Sequence, residues 1–188
     1  MDDGEMSGIA LSRAFSAEVV EPVLASRFPG LDYSAGRLGS GSDVLGLDDT
    51  VSRDHDWGLR LSLFVPVDAV HAVDGELDRH LPSTFRGLPV RFAFTGEALP
   101  GHHVDVSSVA ALIDSHLGFD PRSGASAQDW LSLTGQAALE VVAGPVFAAT
   151  SDDLGSVRRA LEWYPDDVWR YTLASDWERV AQELPLVG

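Results

Sequence analysis

The sequence predicts an α+β fold: a mixed or antiparallel sheet flanked by helices, followed by a helical C-terminal segment. Three observations predict it. Leu11, Phe15, Val19 and Val23 recur four apart, as on one side of a helix. Leu59, Leu61, Leu63 and Val65 alternate with Arg60, Ser62 and Phe64, the period of a strand. Beyond Ser108 the apolar spacing is helical, and strands first with helices later is the α+β pattern. With 188 residues, 45% of them hydrophobic, the chain suffices for one well-buried domain or a main domain with a small extension. The expected division is a sheet core over 1–124 and a helical extension over 125–188 packed on it.

The first helix should end at Phe28-Pro29-Gly30, because proline and glycine stop a helical run. Tyr33 to Leu38 reads as a short strand entering the tight loop Gly39-Ser40-Gly41-Ser42. Asp43 to Arg53 reads as irregular, with at most one helical turn. The strand over Leu59–Val65 ends at Pro66, and Asp68 is the expected N-cap of a helix burying Val70, Val73, Leu77 and Leu81. Strands are expected over Val90–Thr95 and His102–Ser107. Helical spacing then runs through Val109, Leu112, Ile113 and Leu117, through Trp130, Leu131 and Leu133, and through Leu139, Val141 and Val142. Pro165 to Glu183 places Val168, Trp169, Leu173, Trp177 and Val180 at helical spacing. That Trp-rich helix needs a partner surface, and packing on its own domain is the expectation.

The chain carries 29 acidic and 13 basic side chains, a formal charge of -16 that repels a phosphate backbone. Long nucleic acid is therefore not an expected partner. The absence of cysteine excludes disulfides, thiolate metal sites and cysteine nucleophiles. Met1 to Met6 is acidic, and no apolar run approaches the ~20 residues that span a bilayer. The expected location is the cytoplasm, with no membrane contact.

Asp54-His55-Asp56 lies just before the strongest strand, and in an extended segment residues two apart project to the same side. Two neighbouring carboxylates repel unless a hard divalent cation neutralises them, so Asp54 and Asp56 are candidate ligands for Mg²⁺ or Mn²⁺. Upstream, with eleven residues between Ser42 and Asp54, sits the glycine-serine loop. Glycines let backbone amides approach phosphate oxygens and serine adds a donor, which makes Gly39, Ser40, Gly41 and Ser42 candidate phosphate-binding residues. Arg60, near the metal, could grip a phosphate with two parallel hydrogen bonds.

These residues resemble the polymerase-beta-like nucleotidyltransferase superfamily, whose pattern is a Gly-Ser pair, roughly ten residues, then Asp-X-Asp at the start of a strand. The chain looks similar to a bacterial nucleotidyltransferase-like family of unknown function through Leu38 to Gly46 and Ser52 to Gly58. The same likeness extends to Arg27-Phe28-Pro29-Gly30, His116 to Pro121 and Leu161 to Trp169. Either Gly39-Ser40 or Gly41-Ser42 occupies the motif position; Gly46, four residues after Ser42, suits the second. The resemblance implies a polymerase-beta-like core and a third carboxylate on a later strand, for which Asp105 is the candidate, with Val104 and Val106 turned to the core. It implies that Asp54, Asp56 and Asp105 form the metal and catalytic set. The implied reaction moves a nucleoside monophosphate from a nucleoside triphosphate, ATP by expectation, to a hydroxyl of a small-molecule or protein acceptor. The rival expectation is a non-catalytic, antitoxin-like interaction module on the same fold. Members usually continue into a further helical region, so the chain is expected to be shorter than its relatives, with dimerisation through the Trp-rich helix a consequence.

Overall fold

A computed structural model describes residues 7–41, 43–45, 59–93 and 99–183. In chain order, α1 (Gly8–Phe15) passes through a π-helical turn (Ser16–Val20) into α2 (Glu21–Arg27). Strand β1 (Ser34–Gly36) leads to the glycine-serine loop and a 3-10 turn (Asp43–Leu45). Then come β2 (Leu61–Phe64), α3 (Val70–His80), the hairpin β3 (Thr84–Phe85) and β4 (Leu88–Pro89), the pair β5 (Arg91–Phe92) and β6 (Gly101–His102), and β7 (Val104–Ser107). Helix α4 (Val109–His116), a 3-10 turn (Pro121–Ser123), α5 (Ala127–Ser132), α6 (Gly135–Val142), β8 (Val146–Ala149), α7 (Asp153–Ala160) and α8 (Asp166–Glu183) follow.

The fold is α+β, with a mixed four-stranded sheet ordered β7-β2-β1-β8. Strands β2 and β7 are parallel, and β1 is antiparallel to both β2 and β8. The register assigns the two faces. Ala35 lies opposite Leu63, and Leu61 opposite Val104, so these residues face one way and pack with Phe15, Leu24, Val73 and Leu77 from the first three helices. Gly36, Ser62 and Asp105 form a row on the other face, beside Phe64, which packs with Leu112 and Ile113 of α4 and with Val141, Leu154 and Val157. Helices thus cover both faces, which is why all four residues of β2 are buried despite its period-two sequence.

The π-helical turn changes which residues of the first helix are buried. A π turn inserts one residue, and Glu21 accordingly donates its amide to Ser16 five residues back. Pro22 has no amide to give and stands just after this turn, where its ring would crowd a regular α-helix. The buried face therefore runs Leu11, Phe15, Val20, Leu24, and the expected Val19 and Val23 are only partly covered.

Other expectations are corrected as well. Strand β8, which pairs with β1, comes from the segment read as purely helical. The helix after Pro66 has Ala69 as its N-cap, with no side-chain cap, in place of Asp68. The strand expected over Val90–Thr95 is the two-residue β5, with Thr95 outside the described residues. The hairpin β3–β4 is an addition to the expected elements: Arg86 and Gly87 both adopt positive φ, 50° and 79°, as a two-residue turn requires. Helix α8 also departs from expectation. It buries Val168, but Trp169, Leu173, Trp177 and Val180 are exposed, so the helix does not pack its apolar stripe on the described domain. Among the described residues no helix is long and apolar enough to cross a membrane.

Candidate functional site

The end of β1 is held closely from behind by the turn between α6 and β8. A side chain at Gly36 would meet the Pro145 carbonyl oxygen at 2.8 Å, so only glycine lets the two strands approach here. Arg37 donates its amide to Pro145 O at 3.0 Å, and Gly39 donates its amide to Glu140 O at 3.0 Å. The Arg37 guanidinium, on a residue only 2% exposed, donates to the carbonyls of Leu38 (2.5 Å) and Ser40 (2.9 Å). Leu38 N–H donates to Ser62 Oγ at 3.3 Å, which ties the loop to β2. Gly39 and Gly41 take φ values of +89° and +134°, conformations costly for other residues.

Asp105 stands beside Ser62 in the parallel register, one strand spacing of about 4.8 Å away. Val104 is buried and Val106 partly buried on the opposite face, as the alternation predicts, and Asp105 is exposed. The row Leu38, Ser62, Asp105 therefore runs from the glycine loop to the carboxylate across two strands. It opens on a cleft of about 220 Å³ whose walls include Gly39, Ser40, Arg60 and Asp105. The buried Arg37 contributes to the same wall and gives the loop side a positive charge in a poorly solvated setting.

The structure thus brings together Asp105, Gly39, Ser40 and Arg60. Gly41 belongs to the same loop beyond the cleft wall. Asp54, His55, Asp56 and Ser42 lie outside the described residues. Among the described residues no group of three or more His, Asp or Glu is placed to hold a metal. Asp105 and Glu140 are the acidic residues that line the cleft with the loop. Gly39's amide is already committed to Glu140, so this residue serves the turn of the loop.

The site residues expected from the sequence do not include Arg37, His103, His116 or Glu140, all of which line the cleft. His116 closes α4, and its Nε2 lies 3.4 Å from Glu140 Oε2 on α6. These two are far apart in sequence on separate helices, and no spacing rule joins them. His102 and His103 point to opposite sides, as adjacent residues of an extended chain do: His102 pairs with Asp74 on α3 at 3.6 Å. Behind the cleft, Arg158 donates to the carbonyls of Val142 and Gly144, and burial pulls its pKa down from the usual arginine value. A wider hollow of about 340 Å³ lies at the other end of β2, lined by Phe64, Val67, Asp32 and Asp153 among others. Among the described residues that line it are apolar groups and two acids and no Lys or Arg, a poorer setting for phosphate.

Residues 130–188 are similar to a family described as a domain of unknown function (DUF4037). No curated protein and no solved structure gives a significant match to the chain. The matched stretch contains α6, β8 and the Glu140–Pro145 turn behind the loop.

Proposed function

We propose that the chain is a metal-dependent nucleotidyltransferase of the polymerase-beta-like kind. It would transfer a nucleoside monophosphate from a nucleoside triphosphate, with ATP the first choice, to a hydroxyl of a small-molecule or protein acceptor in the cytoplasm. One observation carries the reading: the Asp105 carboxylate and the Gly39-Ser40 loop, far apart in sequence, face one cleft with Arg60 between them in the chain. Asp54 and Asp56 enter through their sequence spacing. With Asp105 they would hold Mg²⁺ or Mn²⁺, whose charge would neutralise the triphosphate and the departing pyrophosphate. Ser40 and Gly41 would hold the terminal phosphates by hydrogen bonds, and Arg60 would grip a phosphate edge. Asp105 would assist the metal or take the proton of the acceptor hydroxyl as its oxygen bonds to the α-phosphorus and pyrophosphate leaves. Catalysis of this kind rests on positioning and charge stabilisation. The net charge of -16 favours a neutral or cationic acceptor over a nucleic acid.

The exposed Trp169, Leu173 and Trp177 on α8 favour a second reading, a non-catalytic interaction module. Transfer of label from α-labelled ATP, with magnesium and cell extract as the acceptor source, separates the two. The transferase reading expects transfer by the wild type and a loss of about a hundredfold or more in Asp56→Asn and Asp105→Asn. Wild-type protein that shows no magnesium-dependent ATP binding by calorimetry refutes it.

A further inference from the structure

We infer that Arg37 is a positioning residue that presets the phosphate loop from behind. This deepens the nucleotidyltransferase reading and rests on it. The argument is stereochemical. In a planar trans peptide the C=O and the following N–H point in opposite directions. Arg37 draws the Leu38 carbonyl toward its guanidinium, which turns the Gly39 N–H the other way, and there it meets Glu140 O at 3.0 Å. Arg37 also draws in the Ser40 carbonyl, which turns the Gly41 N–H away from the guanidinium. The side chain thereby fixes two peptide planes, with that of Gly39–Ser40 between them, and turns the Gly41 amide away from the guanidinium, where it would donate to a bound phosphate.

A guanidinium suits the task because its rigid fork serves two carbonyls at once, whereas a lysine ammonium is a single point. With Arg37 2% exposed, its charge also sits where water screens it little. Behind it, the α6–β8 turn acts as a brace. A side chain at Gly144, where φ is +80°, would meet the Arg37 carbonyl oxygen at 2.0 Å, so the turn presses directly on the arginine backbone. Arg158 holds that turn through the Gly144 carbonyl at 2.8 Å. The brace lies within residues 130–188, so the part similar to a domain of unknown function acquires a task at this site: it secures the loop that receives the terminal phosphates.

Calorimetric titration of Mg·ATP and of AMP into the wild type, Arg37→Lys and Arg37→Met tests this, with thermal melts of each. The loop contacts the terminal phosphates, so the preference for ATP over AMP should fall by about tenfold or more in both variants. AMP affinity should stay within about twofold, and Arg37→Lys should melt close to the wild type. An unchanged ATP preference in a folded variant, or equal weakening of both nucleotides, overturns the role of Arg37 while leaving the transferase reading intact. A wild type that binds no Mg·ATP instead sinks the transferase reading and takes Arg37's role with it. Should neither variant fold, the Arg37 side-chain Nε–H resonance of the wild type decides: it should shift with Mg·ATP and not with AMP, and a resonance that ignores both refutes the proposal.

Discussion

The Asp120 carboxylate accepts hydrogen bonds from the Arg122 amide at 3.0 Å and from its guanidinium at 2.9 and 2.8 Å, while Arg122 reaches Asp153 on α7 at 2.5 Å. These donors favour the ionised form, so the Arg122 side chain first, and its backbone amide after it, hold Asp120 below the usual carboxylate pKa. A lowered folded-state pKa stabilises the fold above the unfolded value of about 3.9, and that contribution disappears as pH falls through the lowered value. The pair lies at the surface, with its side chains 32% and 36% exposed, so solvent screening keeps the effect modest. Arg122→Gln should cost about 0.5–1 kcal/mol at pH 7 in urea unfolding, and the gap to wild type should close as pH drops below about 4. A gap that persists in acid would mean that Arg122 acts by packing rather than charge. The resemblance called for an acid on a later strand, and alternation along that strand assigned the face of Asp105. Arg37 was not legible in the sequence, because its work is done on carbonyl groups that only the folded loop places around it.

Helix boundaries and faces show the same division between local and distant causes. The helices α3, α4 and α8 follow directly from apolar spacing, since each signal lies within a few turns of chain. The register of the first helix does not, because the π-helical turn shifts the buried face by one residue after Phe15. Leu24→Ala should therefore cost about 3 kcal/mol and Val23→Ala under about 1 kcal/mol in denaturant unfolding. The reverse order would mean that the helix is regular throughout. Strand β8 escaped sequence reading for another reason. Val146–Ala149 is short, follows a helix directly, and is a strand because β1 offers it an edge more than a hundred residues earlier, where Tyr33 donates its amide to Thr150 Oγ1 at 2.8 Å. The candidate cleft divides in the same way: the loop and Asp105 that line it stand out in the sequence, and the His116–Glu140 wall contributed by two helices does not.

Across the whole molecule, two helical layers enclose the sheet, and most of α8 stands outside them. Trp163 and Trp177 are 80% and 76% exposed, whereas Trp130 is 6% exposed between Phe119 and Tyr164. Acrylamide should quench a large share of tryptophan emission in the isolated chain, Trp177→Phe should reduce that share, and Trp130→Phe should leave the quenchable part nearly whole. Emission uniformly protected from acrylamide would show the α8 stripe covered. In a chain with a formal charge of -16, the cleft carries Arg37 and Arg60 together with Asp105 in its walls. Crystals soaked with Mn²⁺ and a non-hydrolysable ATP analogue put the proposed site to the most direct test, because manganese is located by its anomalous scattering. The account predicts a manganese peak in the cleft between Asp105 and the Gly39-Ser40 loop, with the analogue's phosphates against Ser40 and Arg60. Manganese and nucleotide bound together in the hollow at the other end of β2, or a cleft that stays empty at saturating ligand, would contradict it.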